Sequence, residues 1–497
     1  MSNPPLGEPS RPVQAASVLL ARARGSTALF VAMRSLSLRF LGGFLAFPGG
    51  KVHSADRELA TASPGVSPQH IAAVRELFEE TGILLARDEA GDYPQAEKLI
   101  APRSELLAEQ IAFDHLLSKH QWRLRADDLT WAGSLTTPPF SPIRFDTAFF
   151  TAILPEGQNA EVWPGELTDG AWRDAEDVLT SWKTGDLLVS PPTVALLQAL
   201  GGQPIEQLPR RFPHGTHPPI WFSPGVQMIP LRCDGLPPST HTNAYVVGED
   251  TAYLLDPGAT DVGEQEALFA SLEGRRLAGV VLTHHHPDHI GSAAVVAERY
   301  GVPIFAHPLT AQALRGRIDV NRFLDDGDCL DLGETPDGRS RWRLQAIHTP
   351  GHAPGHLVFW DAYYRLLFAG DMVSMLSSVL IPPPPEGDLA IYLDSLRRMQ
   401  TLPARLLLPA HGSPSARPAF VLERALAHRR EREEQLLQAL TSEPRAVADL
   451  AVELYRGLPE PLMRFADMQV RAGLHKLQRE GRAVAVDAER WKLPAGF

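Results

Sequence analysis

Four short polar strings, each standing at the end of an apolar run, constrain this chain more than any other feature. The first is Thr283-His284-His285-His286-Pro287-Asp288-His289-Ile290-Gly291, directly after the run Leu277 to Leu282. The others are His348-Thr349-Pro350-Gly351-His352, Phe368-Ala369-Gly370-Asp371 and Leu408-Pro409-Ala410-His411-Gly412. Short apolar runs bounded by Gly and Pro read as buried strands, so each string falls on the loop just past a strand end. Imidazole is the commonest metal-binding side chain, and carboxylates add oxygen donors. A fold that gathers these strand ends therefore builds a mixed nitrogen and oxygen metal site. One histidine tract alone would read as surface; four separated strings with the same placement do not.

Taken in order, His-x-His-x-Asp-His, Pro-Gly-His, Gly-Asp and Ala-His-Gly resemble the metallo-β-lactamase superfamily. The resemblance implies an αββα sandwich with its ligands at one sheet edge. It implies that His284, His286 and His352 hold one metal, that Asp288, His289 and His411 hold a second, and that Asp371 bridges them. Asp288 also counts as catalytic. Two cations about 3.5 to 4 Å apart can share a hydroxide of lowered pKa and clamp the oxygen that gains charge during attack. Zinc, manganese and iron all suit such ligands. Asp256, at the end of Thr251-Ala252-Tyr253-Leu254-Leu255-Asp256, stands where the superfamily keeps a supporting acid beside the metals. His285 and His348 read as polar loop residues.

Upstream lies a different pattern. Apolar runs around Gly25-Ser26 read as a hairpin, and Phe44 to Val52 reads as a strand edge ending in Pro48-Gly49-Gly50. Ala72 to Ile83 has helical spacing, with Gly82 placed as its C-terminal cap. Glu76, Glu79 and Glu80 stand at i, i+3 and i+4, so their carboxylates share one face and repel, which a cation would relieve. Mg²⁺ or Mn²⁺ held through carboxylates and substrate phosphates suits this pattern. The plainer alternative is a solvated acidic face. Arg75-Glu76-Leu77-x-Glu79-Glu80-x-Gly82-Ile83 with the upstream Pro-Gly-Gly resembles the Nudix box of diphosphate hydrolases. In place of a short spacer, residues 55–68 form an insertion, with Asp56 where the family has an acid. Trp131, Thr137-Pro138, Arg144 to Phe150 and Ser190-Pro191-Pro192-Thr193 resemble the acyl-CoA diphosphatase subgroup. The resemblance implies Glu79 and Glu80 as main ligands, Glu76 as ligand or base, and Arg75 as an orienting partner.

A chain of 497 residues is too long for one core and suggests about three domains. The expected organisation is a Nudix α/β/α sandwich over 12–200, a Pro- and Gly-rich linker over 201–224, the metallo-β-lactamase fold over 225–418 and a small winged helix over 419–497, an α/β and α+β assembly. Pro382 to Pro385 leads into a helix expected over Leu389 to Met399, near the pocket mouth. Helices expected over 420–440, 445–456 and 461–479, followed by two short strands, make the winged-helix pattern. A winged helix after this fold resembles the β-lactamase-like subfamily that contains an endoribonuclease of single-stranded RNA. Arg464, Arg471, His475, Lys476 and Arg479 lie on its recognition helix, with Arg471, Lys476 and Arg479 the candidate nucleic-acid contacts. The plainer alternative is that this domain packs on the hydrolase or mediates oligomers.

The formal net charge of −12 argues against broad polyanion binding. Two distant cysteines, Cys233 and Cys329, offer no disulfide framework, and no apolar span reaches membrane length, which together suit a cytoplasmic setting. The expected function is a metal-dependent hydrolase with two sites, one cleaving an ester, thioester or related bond and the other a diphosphate of a CoA or nucleotide derivative. The alternative is an RNA-processing endoribonuclease with a regulatory, non-catalytic Nudix domain.

Overall fold

The computed structural model describes residues 10–38, 40–212 and 218–495. The Pro-rich start at 1–9 and positions 213–217 of the expected linker lie outside the described residues. The chain forms two compact units, Met1–Gln227 and Met228–Phe497. Among the described residues no helix is long and apolar enough to cross a membrane.

In the first unit, strand Val13–Ala21 is central because it is apolar on both faces. It pairs in parallel with Phe145–Ile153 and antiparallel with Ala28–Arg34 and Gly49–Lys51. Successive side chains of a strand point to opposite faces, so a run buried on both sides loses its polar alternation. Ala16, Val18 and Leu20 enter one core with Ile71, Val74 and Phe78 of helix Pro68–Thr81. Leu19 and Ala21 enter the other, with Val178 and Trp182 of helix Ala175–Lys183 and Val194 of helix Pro191–Leu200. This is the expected α/β/α layering.

Two expectations shift here. The insertion at 55–68 folds as helix Ser54–Ala62, which buries Asp56. Part of the expected linker is core: Ile205, Leu208 and Phe212 pack with Leu197 and Leu200. Proline and glycine signalled loose chain, but three apolar side chains at a near-helical interval carry the segment back onto the sheet.

The second unit contains two facing sheets. One runs through Val226–Arg232, His241–Val247, Ala252–Leu255, Leu277–Val281, Ile304–Ala306 and Arg322–Phe323. The other runs Cys329–Glu334, Arg341–His348, Leu357–Asp361, Leu366–Gly370, Leu406–Pro409. Helices Val262–Ser271 and Ala293–Tyr300 send Leu268 and Val296 into the first sheet's core, and Leu389–Gln400 sends Leu393 and Leu396 into the second's. Tyr245 bridges the sheets, its ring edge-on to Phe368 at 5.3 Å and its hydroxyl donating to the Pro409 carbonyl at 2.8 Å. This is the metallo-β-lactamase fold, and a C-terminal winged helix follows it.

The winged helix comprises Pro418–Ala439, Val447–Leu454 and Met463–Arg479 with a three-stranded sheet of Arg445–Ala446, Arg490–Lys492 and Val484–Ala485. It is not cleanly detached at 419. Helix Pro418–Ala439 gives Leu422 and Leu426 to the core of the second sheet and Leu436 and Ala439 to the winged-helix core, and Ala472 also reaches the core of the second sheet.

Candidate metal centre

The loops after five strands converge on one point. Strand Leu277–Val281 leads into His284, His286, Asp288 and His289; Arg341–His348 leads into His352; Leu366–Gly370 into Asp371; Leu406–Pro409 into His411. Strand Ala252–Leu255 ends at Asp256. Gly370 permits the approach of Asp371. At φ +47° it is left-handed, and a Cβ there would stand 2.6 Å from His356 Nε2 and 3.1 Å from Thr283 Cβ.

His284 Nε2 and His286 Nδ1 stand 2.9 Å apart, His352 Nε2 lies 2.9 Å from His286 Nδ1, and the third edge of the triangle is 3.3 Å. On the other side His411 Nε2 lies 3.2 Å and His289 Nε2 3.4 Å from Asp371 Oδ1, while Asp288 Oδ2 lies 3.4 Å from His411 Nε2. Asp371 Oδ2 faces His352 Nε2 at 3.6 Å, so its two oxygens serve the two clusters. His284, His286 and His352 form one group of convergent ligand atoms, Asp288, His289 and His411 another, and His284, His289 and Asp371 a third between them.

The other ring nitrogen of each histidine is engaged, and this selects the tautomer. His289 Nδ1 donates to Asp256 Oδ2 at 2.9 Å, His352 Nδ1 to the Leu380 carbonyl at 2.8 Å and His411 Nδ1 to the His241 carbonyl at 2.9 Å. Thr283 Oγ1 donates to Asp256, so it accepts from His284 Nδ1 at 3.0 Å. His286 differs, since its Nε2 faces Glu386 at 3.4 Å and its Nδ1 faces the cluster. Asp256 holds a left-handed backbone, φ +47°, that a non-glycine residue adopts only under restraint. The Thr283 N–H and hydroxyl and His289 supply that restraint.

Three imidazole nitrogens that face each other at these distances cannot satisfy one another as a ring of donors. His289 Nε2 and Asp371 Oδ1 are buried without a hydrogen-bond partner. Cations at these two positions would satisfy both deficits, so the residues fit a pair of divalent metals. Electrostatics agree. Burial and neighbouring imidazoles push His352 down to about 4 and His284 well below its usual value, leaving neutral lone pairs. Burial also disfavours charge on His411, but Asp371 and Asp288 overcome it and lift it to about 10.

Two participants escaped the sequence reading. His356 is fully buried; it donates from Nδ1 to Thr349 Oγ1 and accepts the Asp371 N–H at Nε2, 3.1 Å, which orients Asp371. Its signal was a second Pro-Gly-His at 354–356. Glu386, after the Pro382 to Pro385 run, meets His285 Nε2 at 3.0 Å and His286 Nε2 at 3.4 Å, so His285 is more than a bystander on the loop.

In the first unit Arg75 is the hub. Its guanidinium bonds Asp56 at 2.9 and 3.0 Å, Glu76 at 2.9 Å and the Lys51 carbonyl at 2.8 Å, with Glu79 at 3.5 Å. Glu80 accepts the Gly49 N–H at 2.8 Å. Burial, reinforced by Glu76, raises Glu79 to about 7 and Glu80 well above its usual value. Among the described residues, every group of three ligand atoms within 4.8 Å of one another lies in the second unit; Glu76, Glu79 and Glu80 do not close into one. Arg75 places its positive charge between Glu76 and Glu79. A cavity of about 320 Å³ opens beside Arg75 and Glu79, walled by Leu59, Leu106, Ile111 and Phe113.

Each of the three expected nucleic-acid contacts meets a carboxylate of the chain. Arg471 is paired with Asp467 and Glu489, Lys476 is buried against Glu433 and Glu480, and Arg479 grips Asp388. Ion pairs with the chain's own carboxylates offset these three charges, while the side chains of Arg471 and Arg479 stay partly exposed.

Residues 238–411 match the family model of the metallo-β-lactamase superfamily, and residues 446–491 match that of the β-lactamase associated winged helix domain. A hydroxyacylglutathione hydrolase of Bdellovibrio bacteriovorus is 29% identical over 37% of this chain, which spans 65% of that relative's length, just under two thirds. The β-lactamase-like protein 2 homologue of Drosophila melanogaster is 26% identical over 48% of this chain and 83% of its own. Among solved structures, a Nudix hydrolase from Alicyclobacillus acidocaldarius is 30% identical, with 38% of this chain and 91% of that chain covered and a TM-score of 0.35.

Proposed function

We propose that the second unit is a dinuclear metallohydrolase that cleaves an ester, thioester or related bond of a small molecule. The observation that carries it is the convergence of seven ligand side chains on two adjoining clusters with Asp371 between them. A pair of divalent metals there would supply a nucleophile of lowered pKa and stabilise the oxyanion that forms on attack. The protein's own contribution is orientation. Asp256, Leu380, His241 and Thr283 fix the histidine tautomers, and His356 fixes Asp371. Zinc is the expected occupant, with manganese or iron the alternatives. One relative is by its name a hydrolase of hydroxyacylglutathione, which makes an acyl thioester the first substrate class to test.

The first unit is proposed as a Nudix-like hydrolase of a diphosphate carried by CoA or a nucleotide, with Glu79 and Glu80 as ligands of Mg²⁺ or Mn²⁺, Glu76 as ligand or base and Arg75 as their organiser. Its support is the helix Pro68–Thr81 ending at left-handed Gly82, with Pro48-Gly49-Gly50 laid against its carboxylates. A Cβ on Gly50 would run into the Glu76 carboxylate, so the close approach needs glycine. RNA cleavage draws less support, since Arg471, Lys476 and Arg479 are spent on internal ion pairs.

The deciding experiment presents the metal-loaded protein with acyl-CoA and acyl-glutathione thioesters, nucleoside and CoA diphosphates and single-stranded RNA. His286→Ala and Glu79→Gln/Glu80→Gln run in parallel. Loss of thioester cleavage in His286→Ala alone, and of diphosphate cleavage in the double variant alone, is the expected pattern. RNA cleavage without thioester cleavage would refute the small-molecule reading.

A further inference from the structure

From Asp371 to Asp388 the chain has neither helix nor strand, yet it supports the metal centre. Two of the three histidines of one cluster take their outer hydrogen-bond partner from it: His352 from the Leu380 carbonyl at 2.8 Å, and His286 from Glu386 Oε1 at 3.4 Å. Long stretches without regular structure are held, where they are held, by side-chain contacts. Here those contacts come from the C-terminal helices. Gln469 Nε2 donates to the Val379 carbonyl at 2.9 Å and the Arg429 guanidinium donates to the same oxygen. Arg479 grips both oxygens of Asp388 at 2.6 and 2.7 Å. Asp388 in turn caps helix Leu389–Gln400 and donates its N–H to the Gly351 carbonyl, beside His352, at 2.8 Å.

We propose that the winged helix acts as a brace on the metal centre, holding the 379–388 segment so that Glu386, a positioning residue, and the Leu380 carbonyl orient His286 and His352. The inference rests on these histidines being metal ligands. Glu386, an acceptor at His286 Nε2, requires the proton on that nitrogen and so leaves the Nδ1 lone pair directed at His284 and His352. A carboxylate at the outer nitrogen also raises ligand basicity, and loss of such a partner costs on the order of ten- to a hundredfold in metal affinity. The same geometry argues against a third cation between His285, His286 and Glu386, because the His286 nitrogen facing that group carries the proton.

The test uses the full chain, stripped of metal, titrated with Zn²⁺ against a chromophoric chelator. The parent binds two equivalents. Glu386→Ala weakens one of them about tenfold or more, and Glu386→Gln restores it, since an amide oxygen still accepts from Nε2. Arg479→Ala weakens the same equivalent although it lies outside the ligand set, while Arg471→Ala, whose partners are Asp467 and Glu489, matches the parent. Glu386 is 43% exposed, so its truncation spares the fold; where Arg479→Ala unfolds, Gln469→Ala reads the brace through the Val379 carbonyl, and parental affinity in the folded brace variant beside weakened binding in Glu386→Ala would overturn it. Two equivalents bound with parental affinity in Glu386→Ala would overturn the brace alone. A third equivalent lost in Glu386→Ala would replace it with a cation site. Failure of the parent to bind two equivalents would instead remove the dinuclear reading beneath it.

Discussion

At the residue scale, the ligands were legible because metal chemistry admits few side chains and strand ends are easy to see. His284, His286, Asp288, His289, His352, Asp371 and His411 stand out as candidates by their strand-end positions, and the family resemblance of their motifs sorts them into two clusters. His356 and Glu386 could not, because orienting a ligand is open to any group with a lone pair and leaves no fixed spacing. The same gap applies to Asp361, which is fully buried on strand Leu357–Asp361. Burial raises its carboxyl from 3.8 to about 6, against the Tyr363 N–H that favours the charged form. A carboxyl whose folded pKa is raised binds its proton more tightly in the folded state. Its contribution is therefore fully present below the unfolded value near 3.8 and lost as pH rises towards about 6. Asp361→Asn, which mimics the protonated form, is expected to unfold with the parent near pH 4. At pH 7.5 it should be more stable by up to about 2 to 3 kcal/mol, at roughly 1.4 kcal/mol per pKa unit. Thermal melts across pH check this, and a constant difference would refute it.

Elements with a strong period were legible and those closed by long-range packing were not. The helix expected over Ala72 to Ile83 exists as Pro68–Thr81, one turn longer at its start because Ser67 caps it by accepting the His70 N–H. Gly82 adopts φ +76°, as its position at the helix end implied. Gly82→Ala is expected to cost about 1 kcal/mol, read as a lower unfolding midpoint. The insertion helix Ser54–Ala62 was hidden because what anchors it is one buried ion pair. Asp56 is 2% exposed and bonded twice to Arg75. Arg75→Ala leaves that carboxylate buried and unpaired, so a loss of about 3 kcal/mol is expected, against little change for Arg57→Ala on the exposed face of the same helix. Equal melting of the two variants would show that Arg75 organises nothing. The stretch 205–212 reads as linker for the converse reason: composition advertises flexibility, while Ile205, Leu208 and Phe212 report their burial only once the sheet exists.

At the scale of the whole chain, the two sites proposed above differ in chemistry. In the second unit His411, lifted to about 10 by Asp371 and Asp288, carries a proton that a metal would have to displace. Metal binding is therefore expected to release protons, and zinc affinity to rise with pH from about 6 to 8. Calorimetric titration in buffers of different ionisation enthalpy measures the release, and a buffer-independent heat would contradict it. Chelation is expected to abolish thioester cleavage and lower the melting temperature of the second unit, because a ligand bound only by the folded state adds to its stability. Order along the chain was visible in the motifs, but sharing between modules was not: helix Pro418–Ala439 serves two cores, and only the three-dimensional neighbours of Leu426 and Leu436 reveal it. The central claim is the dinuclear hydrolase, and release of free thiol from an acyl thioester by the zinc-loaded protein tests it most directly. Thiol release by the parent and by Glu79→Gln/Glu80→Gln, with loss in His286→Ala, is the expected result. No release by the parent, or equal release by His286→Ala, would contradict it.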